Sequence, residues 1–138
     1  MDLQKIKDFF AKDLYATSTT GIEILEAGDG KAKVQLKLDS RHKNALGFTM
    51  GAVYFTMADF SFAVSVNSDL NSESYYVTLS SNINMMNTAK TDLIFAESIP
   101  LKRGRATCFY QIDVYEMLGN EKRMLSVAQI TGYKVNKQ

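Results

Sequence analysis

Asp59 is the only charged residue in GAVYFTMADFSFAVSVN, residues 51–67. On a helical wheel its nearest neighbours are Ala52, Phe55, Phe62, Ala63 and Val66, the most apolar stripe of the segment. An ionised carboxylate is rarely buried unless something pairs with it. Two readings follow. A poorly hydrated carboxylate with a raised pKa is a general base. Alternatively, Asp59 is a core carboxylate paired to a hydroxyl such as that of Thr78. Other catalytic groups are scarce. His42 is the only histidine and Cys108 the only cysteine, which leaves no zinc site of the usual composition. Ser80 and Ser81 have no partners for a Ser-His-Asp triad. Cys108 lies mid-strand with no second histidine to activate it, and reads as a packing residue.

The segment around Asp59 is apolar on its other side too, where Val53, Met57 and Val64 are interrupted by Ser61, Ser65 and Ser68. A helix apolar nearly all round is a buried helix, expected over residues 50–69. A small polar loop from His42 through Gly47 precedes it. Residues 1–18 read as a short amphipathic helix and connector, with Leu3, Ile6, Phe10 and Leu14 on one face. Strands are expected over 21–27 and 31–38, joined by a hairpin at Gly28-Asp29-Gly30. The second alternates cleanly, with Ala32, Val34, Leu36 and Leu38 inward. Four more strands follow over 75–86, 93–102, 105–117 and 123–135. Pro100 suggests a bulge or a sheet edge in the second of these. The class is α+β, a curved antiparallel sheet around one long central helix.

The chain has 138 residues and a net charge of +1 with its lysines and arginines scattered. That size predicts one domain over 1–138. The charge pattern argues against a nucleic-acid or membrane surface. The N-terminal MDLQKIKDFF lacks a signal-peptide core and no run reaches transmembrane length. With a single cysteine, the expectation is the cytoplasm.

His42, Asn44, Gly47, Gly51 and Asp59 fall in the spacing H-x-N-x-x-G-x-x-(H)-G-(G)-x6-D. With the strand order and the SSNINMMNTA segment after the helix, this resembles the hotdog-fold acyl-CoA thioesterases of the phenylacetic-acid-degradation type, over roughly residues 20–135. There are two departures: Met50 and Ala52 stand where the family has histidine and a second glycine. The resemblance implies that Asp59 is the nucleophile or the base that activates water. It implies that the Gly51 backbone N–H polarises the thioester oxygen, with Asn44 assisting near that carbonyl. Thr78, four residues before Asn82-Ile83, matches the position at which some members hold the attacking water. His42, Gly47, Met50 and Phe55 are then candidates to line the substrate site. Lys90 and Arg103, in turns, are candidates for the coenzyme A phosphates. No metal or cofactor is implied, coenzyme A being part of the substrate.

The chemistry suits those positions. Thioester hydrolysis needs a polarised carbonyl and an activated oxygen nucleophile. A helix N-terminus offers free N–H groups and a positive dipole end, and glycine there lets the substrate approach the backbone. Asp59 follows Gly51 by eight residues, about 12 Å along a helix, so the two cannot meet at one thioester. Each site therefore needs Gly51 from one chain and Asp59 from another. A homodimer is expected, and the family often forms dimers of dimers. The leading expectation is an acyl-CoA thioesterase. Met50 and Ala52 keep open a non-catalytic acyl-CoA binding module of the same fold. A hotdog hydratase ranks below both, because such enzymes use a histidine near the helix and this helix has none.

Overall fold

The computed structural model describes residues 2–138. Six strands form one antiparallel sheet: β1 (Glu23–Gly28), β2 (Lys31–Lys37), β3 (Ser74–Met85), β4 (Leu93–Arg103), β5 (Thr107–Leu118) and β6 (Glu121–Asn136). Their order is β1-β2-β4-β5-β6-β3. The alternation in β2 sets its faces. Ala32, Val34 and Leu36 are buried while Lys31 and Lys37 are exposed. Gly28, Asp29 and Gly30 all take positive φ in the β1–β2 hairpin, conformations that glycine adopts at little cost and Asp tolerates.

Helix α2 (Gly51–Asn67) touches all six strands. Its buried residues run from Val53 to Val66 and include Met57, Ala58, Phe62 and Val64. Ser61 and Ser65 are buried as well, and both are satisfied. Ser61 Oγ and Ser98 Oγ are 2.8 Å apart, and Ser65 Oγ donates to the Ser61 carbonyl at 2.8 Å. Part of the Asp59 stripe is the exception to the expected burial, although Phe62 and Val66 are buried. Ala52 is exposed, and Phe55, Thr56, Asp59 and Ala63 are only half-buried. The sheet covers the opposite side of α2, so this stripe faces a cleft.

Helix α1 (Leu3–Phe10) begins at Asp2, whose side chain accepts from the Gln4 N–H. It buries Ile6 and Phe10, and Phe10 meets Phe60 edge-on at 6.0 Å. Burying two such side chains contributes roughly 1.5–3 kcal/mol each. Leu14, expected on the same face, is 65% exposed. The helix stops at Phe10, and a π-helical turn over Tyr15–Thr20 takes the chain in another direction. That turn ends at Gly21, at φ +95°.

Pro100 does not mark a sheet edge, since β4 lies between β2 and β5. Its missing N–H is accommodated at a register shift between Pro100 and Lys102 in the β4–β5 ladder. The true edge beside β6 is β3, which is exposed along nearly its whole length, including Tyr75, Val77, Leu79 and Met85. Among the described residues, no helix is long and apolar enough to cross a membrane.

Candidate active site

Asp59 sits on the open stripe of α2, in a cleft of about 510 Å³. Ala52, Phe55, Thr56, Phe60 and Ala63 form its α2 wall, and Asp13 to Ala16 face them. The lining contains no lysine, arginine or histidine. Burial raises the Asp59 pKa above the ordinary carboxylate value. A hydrogen bond from Thr78 opposes that rise, and the Asp13 charge adds to it. Thr78 Oγ1 donates to Asp59 Oδ1 at 3.3 Å. This joins α2 to β3 just before the register shift between Thr78 and Ser80. Phe55 lines the same cleft.

The loop before α2 is built by its own polar side chains. Asn44 Oδ1 accepts from the N–H groups of Leu46 (2.9 Å) and Phe48 (3.1 Å). Backbone donors identify this atom as the amide oxygen, so the Asn44 NH2 is left free to donate. Gly47 closes the turn, with its N–H on the Asn44 carbonyl at 3.0 Å and φ at +89°. Met50 caps α2 without a side-chain hydrogen bond and stands half exposed. Among the described residues, the N–H groups of Gly51 and Ala52 find no acceptor, as expected for the first turn of a helix. Met85 packs against Gly51: a Cβ there would lie 2.5 Å from its Sδ.

His42 belongs to the framework and not to the substrate site. It is 4% exposed. Its Nδ1 accepts from the Asp39 N–H at 3.0 Å, and its Nε2 bonds the Thr20 carbonyl at 2.7 Å. A carbonyl only accepts, so Nε2 carries the proton and the ring is the neutral tautomer. Both nitrogens are used, and none remains for a substrate. The histidine ties the N-terminal segment to the loop, and its own carbonyl receives the Met50 N–H at 2.8 Å.

The two basic candidates are not brought together. Lys90 follows Ala89, whose N–H donates to Tyr54 Oη near the start of α2. Arg103 lines a different cleft with Ser65, Ser68 and Asp69, at the end of α2. These ends are on the order of 20 Å apart along the helix, so one chain cannot place both on the same phosphate.

Two carboxylates escaped the sequence reading. Glu116 is fully buried. It accepts from the N–H groups of Lys90 and Thr91 at 2.9 and 2.8 Å and from Arg123 Nη1 at 2.7 Å. Burial would raise its pKa, but these donors together hold it below the usual range. Asp13 lines the Asp59 cleft from the N-terminal segment, and burial raises its pKa. In sequence Asp13 is one polar residue of an amphipathic stretch, and Glu116 is one residue of an alternating strand. Neither pattern carries a signal of its own.

The arrangement offers a carboxylate base held by a hydroxyl, and free N–H donors at the start of the same helix. No group of three or more His, Cys, Asp or Glu residues suited to a metal occurs among the described residues. A model of the thioesterase superfamily matches residues 46–117. Over 135 residues the chain is 26% identical to a candidate esterase of Archaeoglobus fulgidus, covering 97% of this chain and 84% of that protein. It is 22% identical to a 1,4-dihydroxy-2-naphthoyl-CoA hydrolase of Listeria monocytogenes, covering 82% of this chain and 89% of that one. A thioesterase family protein from Silicibacter pomeroyi superposes with a TM-score of 0.86 at 20% identity, over 97% of this chain and 98% of that one. Its likeness shows the hotdog fold. The matched segment carries both Gly51 and Asp59 and spans more than half of the sequence, and the chain belongs to the thioesterase superfamily.

Proposed function

We propose that this protein is an acyl-CoA thioesterase of the phenylacetic-acid-degradation type, acting in the cytoplasm. The observation that carries the reading is Asp59, a half-buried carboxylate with a raised pKa on an apolar cleft, held by Thr78. Asp59 takes a proton from a water that attacks the thioester carbon, or attacks that carbon itself to give an acyl-aspartyl anhydride that water then hydrolyses. The carbonyl oxygen gathers negative charge, and the Gly51 N–H of the other chain stabilises it, with help from the free Asn44 NH2 of the loop before that Gly51. The thioester C–S bond breaks, the departing sulfur takes the proton that came from water so that coenzyme A leaves as a thiol, and the acyl group leaves as a carboxylic acid. Lys90 takes part in holding the coenzyme A phosphates. Arg103, toward the other end of α2, takes part either at a different phosphate or from the other chain of an assembly.

Two features support a homodimer. Gly51 and Asp59 stand about 12 Å apart on one helix. The unpaired β3 edge exposes Tyr75, Val77 and Leu79, a surface that isolated chains rarely leave open. The function is tested by following free thiol release across short, branched, aromatic and long acyl-CoAs. Turnover of at least one is expected, with a loss of roughly 10²-fold or more in Asp59→Asn. Binding without turnover across the whole panel would replace this reading with that of a non-catalytic acyl-CoA module.

A further inference from the structure

The cleft beside Asp59 has a second carboxylate and a direction. Along α2 its wall runs from Ala52 through Phe55 and Asp59 to Ala63. Ala63 is four residues past Asp59, about 6 Å further along the axis. Asp13 and Ala63 also line the adjoining cleft, with Phe9, Phe10, Asn67 and Leu70, which places Asp13 toward that far end. Leu14 and Tyr15 stand 65% and 67% exposed over the cleft, forming an apolar wall opposite Phe55 and Phe60. An acyl group whose carbonyl is at Asp59 has this apolar channel open to it, and the channel leads toward Asp13.

Asp13 is held in place by its backbone. Its N–H donates to the Phe10 carbonyl at 2.9 Å, and its carbonyl accepts the Thr17 N–H and Oγ1, both at 2.9 Å. Its carboxylate forms no ion pair among the described residues. The only basic residue on either cleft is Lys137, which shares the adjoining one with Asp69.

Resting on the acyl-CoA reading above, we propose that Asp13 is a specificity-determining residue: the cleft accepts neutral, apolar acyl chains and rejects those ending in a carboxylate. A terminal carboxylate would approach two like charges, the half-buried Asp59 and the exposed Asp13, along a cleft whose own walls carry no lysine, arginine or histidine. Repulsion from an exposed charge is screened by salt and is felt most at low ionic strength.

The test uses two thioethers that cannot be hydrolysed, S-hexyl-CoA and S-(5-carboxypentyl)-CoA, with binding measured by calorimetry at neutral pH and low ionic strength. The wild type is expected to bind the neutral compound at least tenfold more tightly. Asp13→Lys should narrow that ratio tenfold or more, Asp13→Asn should narrow it less, and Asp13→Glu should keep it. Asp29→Asn, at the β1–β2 hairpin, removes the same charge elsewhere and should leave the ratio alone. Circular dichroism establishes that each variant is folded, and Asp13→Asn carries the test if Asp13→Lys is not. Equal wild-type affinities, or a ratio that ignores every change at Asp13, would overturn the proposal. A preserved ratio without turnover of any acyl-CoA would remove the hydrolase reading and leave this one standing. Binding of neither thioether would remove both.

Discussion

Thr78 Oγ1 donates a hydrogen bond to Asp59 Oδ1 across 3.3 Å, linking the edge strand to the open stripe of α2. Asp59 is thus set between opposing influences. Burial raises its pKa, the Thr78 hydroxyl stabilises the charged form and lowers it, and the Asp13 charge raises it.

These influences predict opposite shifts in two variants. Activity requires ionised Asp59, so it falls on the acid side as pH drops through the Asp59 pKa. Thr78→Val removes a donor to the charged form, raising that pKa and moving the acid limb to higher pH. Asp13→Asn removes a like charge, lowering the pKa and moving the limb to lower pH. The limb is read from kcat/KM, which reports the free enzyme. Shifts in the same direction in both variants would show that another group controls the profile.

Met50 occupies the helix N-cap, where the family has histidine. Its side chain makes no capping bond and is half exposed, while the proposed oxyanion donor is the backbone of the next residue. Met50→Ala is therefore expected to change KM or acyl preference and to retain turnover. If Met50→His raised kcat by several orders of magnitude, the missing imidazole would be a real chemical loss.

Much of the fold was legible because each pattern had a single partner surface. The alternation of β2 and the dense apolar face of α2 both name the core directly. Burial in β3 was not legible, because Val77 and Leu79 follow the inward alternation of a strand yet lie on an edge that its own chain leaves open. Thr78 was legible only through the family resemblance, with its pairing to Asp59 as one of two readings of that carboxylate, and the structure brings both residues together. His42 was misread as a substrate contact because its burial depends on the Thr20 carbonyl, 22 residues away. The Asp13 placement depends on where α1 stops and the π-helical turn begins, which the amphipathic pattern ran past. Glu116 became a buried clasp through backbone donors 25 and 26 residues earlier and Arg123 on the next strand.

Glu116 gives a stability prediction. Removing one member of a buried, paired cluster strands the others, at a cost of about 3–5 kcal/mol, so Glu116→Ala should lower the denaturation midpoint clearly in urea. The folded pKa lies below the ordinary 4.5. The contribution of the ionised group is therefore present above about that pH and is lost as pH falls through the folded value. Stability of the wild type should drop across that acid window more steeply than that of Glu116→Gln. Parallel pH profiles for the two proteins would show that the cluster is no net clasp.

A shared active site makes the most demanding prediction. Gly51 and Asp59 are both on α2, about 12 Å apart along its axis. In a two-fold dimer with antiparallel α2 helices, each Gly51 can serve the partner's Asp59. Asp59→Asn keeps the N–H donor, and Gly51→Pro keeps the carboxylate. Proline is tolerated at the first helical position while lacking the N–H. Its ring would press on Met85 Sδ, which lies against Gly51, but Met85 is half exposed and can move. Circular dichroism and sizing must first establish that both variants fold and dimerise. Mixed under conditions of subunit exchange, they should form heterodimers with one intact and one doubly damaged site. Random reassortment makes about half of the dimers heterodimers, each with one working site of two, so about a quarter of wild-type activity should return by simple counting of two-fold assemblies. Recovery is the decisive readout, since neither parent alone supplies both groups. Proven exchange without recovery would mean that each site is completed within one chain, and the pairing of the two helices would have to be abandoned.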